Sequence, residues 1–317
     1  MKIILSTPRG FCAGVFNAVD IVEKCIDTFG KPIYILKEIV HNKTVVDRLT
    51  QKGAHSIQSI DEAPENSYLV FSAHGVPPQF HQMAKSRNIK VIDATCPLVT
   101  KVHLEALRFA KMGYTIFYIG HKGHDEVVGV LAEVPHAIHL VQDPAEAKTF
   151  QLPENEKNKK LIYLTQTTLS VHETREIIQI LKSRFETLED PPNEDICYAT
   201  TNRQNAVTDL SKVCDLILVV GSQNSSNSQR LRELAEQKGI SSYLIDSTKD
   251  IKKDWFASKK AVGITAGASA PEDLVQEIVQ YIQSEFKVAE VEELVTVKEE
   301  VHFPLPKVLR EALKQKA

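Results

Sequence analysis

The chain has 317 residues, of which 43% are hydrophobic and 25% charged, and its formal net charge is −3. This balance is that of a water-soluble globular chain with apolar material for two or three packed units, and it excludes disordered and fibrous classes. No basic stripe with interleaved aromatics is present, so nucleic acid is set aside as a partner.

The first predicted element is a strand from Lys2 to Ser6. Its apolar run is far shorter than the core of a secretory leader and is soon broken by Pro8-Arg9-Gly10, so a cytoplasmic chain is expected. A helix follows, with Val15, Val19, Val22, Ile26 and Phe29 at helical spacing until Gly30 stops it. Further buried strands are predicted at Tyr68 to Ala73, Val91 to Thr95, Tyr114 to Gly120, Leu161 to Thr165, Leu216 to Gly221 and Ala261 to Ala266. The longest apolar stretches are strand-sized, well short of the roughly 20 residues that cross a bilayer, and no membrane partner is expected.

Two polar stretches interrupt this pattern. Gln151 to Lys160 is unpatterned, and Glu189 to Asp195, with Pro191-Pro192-Asn193, reads as a boundary. Beyond about Phe286 the acidic run Glu290 to Glu300 and then Phe303-Pro304-Leu305-Pro306 predict a C-terminal tail lying across the other units. Alternation of strand and helix from end to end predicts an α/β fold of three similar α/β units with mainly parallel sheets. The units are placed at residues 1–96, 97–193 and 194–286, and the tail at 287–317.

Five widely scattered cysteines do not resemble a disulfide framework and fit a reducing compartment. Cys25, beside Val22 and Phe29, and Cys214, just before a predicted strand, read as packing residues. Cys12, Cys96 and Cys197 differ, since each ends a predicted strand, the third being Asp195-Ile196-Cys197, and enters a loop where open α/β sheets place ligand sites. Three converging thiolates suit either zinc or an iron–sulfur cluster, and the spacing does not choose between them. On a four-iron cubane, three cysteines leave one iron open to a substrate oxygen, where it acts as a Lewis acid.

Six polar loops follow the other strands, and they carry His41, His74, His124, Gln166 to Ser170, Gly221 to Ser228 and Thr265 to Pro271. Ser225, Ser226, Asn227 and Ser269 lie at predicted helix N-termini, where free N–H groups and the helix dipole favour an anion such as phosphate. Each is equally an ordinary N-cap, and it is the set of six loops that favours a shared polar pocket. His41, His74 and His124, in strand-end loops, are given a pocket role, whereas His103 and the surface-looking His55, His81, His136, His139, His172 and His302 are not. Glu126, two residues after His124, is the best candidate proton donor, because a carboxyl in a partly dry pocket can be pushed towards neutrality. Two rival readings of these residues are a zinc-dependent hydrolase or lyase acting on a phosphorylated metabolite, and a phosphate-ligand module in which the cysteines are incidental.

The segments Pro8-Arg9-Gly10-Phe11-Cys12-Ala13-Gly14-Val15, Ser72-Ala73-His74-Gly75, Asp93-Ala94-Thr95-Cys96-Pro97, Gln166-Thr167-Thr168-Leu169-Ser170, Cys197-Tyr198-Ala199-Thr200-Thr201-Asn202-Arg203, Asn224-Ser225-Ser226-Asn227-Ser228 and Ala266-Gly267-Ala268-Ser269 resemble those of the 4-hydroxy-3-methylbut-2-enyl diphosphate reductase family. The resemblance runs over nearly the whole chain, in order. It implies three α/β units around a central cavity, and one 4Fe-4S cluster on Cys12, Cys96 and Cys197 with one open iron. It further implies an allylic diphosphate substrate held by His41, His74, Ser225, Ser226, Asn227 and Ser269 with His124 assisting. Glu126 would relay protons to the leaving hydroxyl, Thr167 would orient that group, and reduced flavodoxin or ferredoxin would supply electrons. The implied reaction is the last step of the methylerythritol phosphate route to isoprenoids, yielding isopentenyl and dimethylallyl diphosphate.

Overall fold

Three parallel sheets organise the chain, and their inner strands are apolar and largely buried on both faces. In the computed structural model, which describes residues 1–316, the chain opens with β1 (Lys2–Thr7) and α1 (Ala13–Phe29). Then follow β2 (Ile33–Leu36), α2 (Lys43–Lys52), β3 (Ala54–Ile57), β4 (Tyr68–Phe71), α3 (Pro78–Ser86) and β5 (Lys90–Asp93). The middle stretch holds α4 (Pro97–Lys111), β6 (Thr115–Ile119), α5 (Asp125–Glu133), β7 (Ile138–Val141), α6 (Pro144–Thr149), β8 (Leu161–Thr165), α7 (Val171–Arg184) and β9 (Leu188–Glu189). The last holds α8 (Tyr198–Leu210), β10 (Leu216–Val220), α9 (Ser226–Gln237), β11 (Ser241–Ile245), β12 (Ala261–Ala266), α10 (Glu272–Phe286), β13 (Val291–Val295) and α11 (Lys307–Lys316).

One sheet has the strand order β11-β10-β12-β1-β13, a second β3-β2-β4-β5 and a third β7-β6-β8-β9. Every strand pairing is parallel. The expected α/β class with three parallel sheets is therefore observed, and the six strands predicted after the first fall within two residues of their places. In the five-stranded sheet, Ile3, Leu5, Leu218 and Ile264 pack with Leu274 and Ile278 of α10 on one face. Ile4, Ile217 and Val219 pack with Leu210 of α8 and Leu231 of α9 on the other. Burial on both faces is why these strands read as unbroken apolar runs. Each such side chain contributes about 1.5–3 kcal/mol on leaving water.

The chain divides into two compact units. One comprises Met1–Phe16, Val40–Gln51 and Tyr198–His302 and holds the five-stranded sheet; the other comprises Asn17–Ile39, Lys52–Cys197 and the chain from Phe303, and holds both four-stranded sheets.

Three features differ from expectation. Residues 1–96 contribute to two sheets, because β1 pairs with β12 and β13 and not with β2–β5. A buried parallel strand carries no local sign of its partner, so position in the sequence misplaces it. The C-terminal stretch is not only a tail: β13 extends the first sheet beside β1, an edge position that lets the acidic residues Glu292 and Glu293 face water. Finally, Asp195 to Cys197 is not a strand. The third sheet ends at the two residues of β9, and Pro191-Pro192 beyond it lack the N–H donors a ladder requires. Among the described residues no helix is long and apolar enough to cross a membrane.

Candidate functional site

Each of the three loop cysteines stands immediately before a helix: Cys12 before α1, Cys96 as the N-cap of α4, and Cys197 before α8. Sequence reading placed them at strand ends and missed the shared helix start, the position where the backbone's N–H groups and dipole favour negative charge. At Cys12 the Val15 N–H points at Sγ from 3.5 Å. No disulfide joins the five cysteines, and they are not equivalent. Burial pushes the thiols of Cys25 and Cys214 up to about 12, so both stay protonated and are unsuited to binding a metal. Cys12, Cys96 and Cys197 are instead partly exposed.

In the unit with the five-stranded sheet, the Cys12 loop is tied to the loop after β12. The Gly10 N–H donates to the Ala266 carbonyl at 3.2 Å and the Cys12 N–H to Ala268 at 3.1 Å. Gly10 has φ +64°, and a Cβ there would sit 2.9 Å from the Ala270 carbonyl oxygen, so both conformation and space require glycine. The Ser269 hydroxyl donates to the His41 carbonyl at 2.9 Å, which joins the His41 loop to the same strand end. Ser225 is the N-cap of α9, its Oγ accepting from the Ser228 N–H at 3.4 Å. Asn227, the second residue of α9, is 4% exposed, yet neither its Oδ1 nor its Nδ2 has a hydrogen-bond partner. A buried amide with both ends unpaired costs about 1–3 kcal/mol per missing bond, and such a group is retained where a polar ligand completes it.

In the other unit, Glu126 at the start of α5 is 3% exposed. Its Oε2 accepts from the Thr167 N–H at 2.9 Å and its Oε1 from the Thr167 hydroxyl at 3.1 Å. The Thr167 carbonyl in turn accepts from the Cys197 N–H at 3.1 Å, so carboxylate, hydroxyl and cysteine form one chain of contacts. His124 is the N-cap of α5, its Nδ1 accepting from the Glu126 N–H at 3.2 Å, and its ring meets that of His74 edge-on at 5.9 Å between centroids. The Cys96 N–H donates to the Ala73 carbonyl at 3.0 Å, next to His74. Within this unit His74, Cys96, His124, Glu126, Thr167 and Cys197 are thus linked by neighbouring loops; within the first unit the same holds for Cys12, His41 and Ser269, with Ser225, Ser226 and Asn227 on the loop after β10.

The model of the LytB protein family matches residues 3–283. The chain belongs to the LytB family. Relatives named 4-hydroxy-3-methylbut-2-enyl diphosphate reductase include one from Rhodopirellula baltica, 51% identical over 98% of this chain and 96% of its own. Another, from Pseudomonas aeruginosa, is 47% identical over 98% of this chain and 99% of its own. The solved structure of the E-1-hydroxy-2-methyl-but-2-enyl-4-diphosphate reductase from Plasmodium falciparum superposes with a TM-score of 0.95 at 37% identity, covering 99% of this chain and 98% of that one.

Two supports of the cysteine loops escaped the sequence reading. Arg203 is fully buried and gives both Nε (3.1 Å) and Nη2 (2.7 Å) to the Gly10 carbonyl, two residues before Cys12. Its remaining donors reach the Ala199 carbonyl at 2.9 Å and the Glu299 carboxylate at 3.1 Å. Asp195, two residues before Cys197, accepts from the Thr165 N–H at 2.9 Å and from Lys101 Nζ at 2.9 Å. An arginine inside a helix and an aspartate after a proline pair look like surface residues by type; only their partners, remote in sequence, show otherwise. Ser269 also departs from expectation, since α10 starts at Glu272 behind Pro271, and Ser269 serves the loop instead of the helix start.

Proposed function

We infer that the chain reductively removes the allylic hydroxyl of 4-hydroxy-3-methylbut-2-enyl diphosphate, giving isopentenyl and dimethylallyl diphosphate. The overall change breaks one C–O bond, consumes two electrons and two protons, and releases water. The observation that carries this reading is the near-complete coverage, at about half identity, of relatives bearing that name, together with a buried carboxylate bonded to Thr167 beside a cysteine loop.

Cys12, Cys96 and Cys197 together would hold a 4Fe-4S cluster with one iron free of protein ligands. Supporting this donor set are three partly exposed thiols at helix starts and the exclusion of Cys25 and Cys214 by burial. When bound, such a cluster supplies electrons one at a time and a Lewis-acidic iron.

The chain's own groups supply the rest. Glu126, reached by the Thr167 hydroxyl, carries protons towards the leaving hydroxyl, and Thr167 orients that group. Ser225, Ser226, Asn227, Ser269, His41 and His74 bind the diphosphate, with His124 assisting. Neutral donors at the start of α9 and the unpaired amide of Asn227 suit an anion without a lysine cluster. Electrons would come from reduced flavodoxin or ferredoxin in the cytoplasm. Anaerobic incubation of the holoenzyme with substrate and reduced methyl viologen tests the reading: isopentenyl and dimethylallyl diphosphate are expected, and recovery of unchanged substrate would overturn it.

A further inference from the structure

We propose that the outward face of α4 is the docking surface for an acidic, one-electron carrier protein, an inference that rests on the reductive reading above. The reaction consumes two electrons, and the cysteines outside the proposed ligand set are buried, so those electrons enter from outside the chain. α4 starts at Cys96 itself. At about 100° per residue, Pro97, Thr100, Leu104, Leu107, Arg108 and Lys111 fall within one stripe about 120° wide. The opposite face, Val99, Val102, Ala106 and Phe109, is buried.

A solvent-facing helical stripe is ordinarily polar, but here Leu104 is 60% and Leu107 40% exposed, and Met112 at the C-cap is 55% exposed. Single exposed leucines need no explanation; three large apolar side chains within nine consecutive residues, Leu104 to Met112, bordered by cations, do. Arg108 and Lys111 make no ion pair with any carboxylate among the described residues. Two uncompensated cations on one face of a chain with net charge −3 form a local positive field, complementary to an acidic partner.

Length fits as well. Leu104 lies eight residues from Cys96, about 12 Å along the helix axis, and Lys111 about 22 Å. An apolar centre with a charged rim of this size matches transient electron-transfer contacts, which bury less than about 1,200 Å². Charges at such a rim act chiefly on the encounter rate, through a salt-sensitive attraction.

The test uses the holoenzyme and the double variant Arg108→Glu/Lys111→Glu, with Leu104→Ser as a second, charge-neutral variant. Turnover is measured with reduced flavodoxin, with reduced ferredoxin, and with reduced methyl viologen. The proposal predicts that kcat/KM for at least one protein donor falls about tenfold or more in the double variant and loses most of its salt dependence, while dye-driven turnover is unchanged. An equal loss with dye and protein would overturn it by locating the damage in the enzyme, and no loss with either protein donor would overturn it directly. A wild-type dimer that the variant splits would assign the face to a second copy of the chain instead. No dye-driven turnover in the wild type would remove the reductive reading, and this surface with it.

Discussion

Glu126 has almost no water to answer to, and a single residue, Thr167, occupies both of its oxygens. Replacing Glu126 by glutamine keeps the shape and one acceptor oxygen for the Thr167 N–H but removes the proton. Glu126→Gln is therefore expected to hold KM within a few-fold while kcat falls by about a hundredfold or more, the usual worth of a positioned acid. Unchanged kcat in a steady-state assay would end its proton-relay role. Arg203 poses a different problem, because its buried charge has one anionic partner, Glu299. Glu299→Ala leaves that charge unpaired and is expected to cost on the order of 3 kcal/mol in a denaturant titration. A loss under 1 kcal/mol would contradict the assignment. The cysteines were legible by sequence because position alone separated three loop thiols from two in apolar company. Arg203 and Glu299 were not, since 96 residues separate partners that meet only once β13 has joined β1.

At the scale of elements, the loop after β10 and the loop after β12 are coupled through Ser228 of α9. A Cβ on Gly221 would lie 2.3 Å from the Ser228 hydroxyl oxygen, and one on Gly267 would lie 1.9 Å from it. Both glycines are therefore spaces reserved for Ser228, whose Oγ also donates to Ser225 Oγ at 3.0 Å. Gly267→Ala is expected to shift the first turn of α9, destabilise the fold by about 1–3 kcal/mol, and weaken substrate binding more than it slows bound turnover. Calorimetry with the diphosphate substrate reads this, and wild-type affinity in that variant would sink the coupling. Strand and helix placement was legible here because apolar runs of fixed length are dictated by burial on two faces. The edge strand β13 was not, since an edge tolerates the polar sequence that disguised it as a tail.

For the molecule as a whole, fold class followed from alternation of elements, whereas strand order did not: β1 inserts between strands more than 250 residues later. Composition carries no trace of such closure. One carboxyl reports on global stability. Burial, reinforced by the charge of Asp195, pushes Glu105 from an ordinary 4.5 up to about 7, against the lowering effect of Lys101. A carboxyl raised in the folded state supports folding fully below 4.5 and loses that support as pH climbs through about 7. Glu105→Gln is thus expected to gain melting temperature over the wild type between pH 5 and pH 8. A difference constant across that range would contradict the raised carboxyl.

The most direct measurement is iron and acid-labile sulfide per chain, with the visible spectrum, after anaerobic preparation of single cysteine variants. Cys12→Ser, Cys96→Ser and Cys197→Ser should each lose iron, colour and turnover together, while Cys25→Ala and Cys214→Ala should retain about four irons and four sulfides. A full, stable cluster in any of the first three, or a colourless active protein carrying zinc instead, would contradict the account.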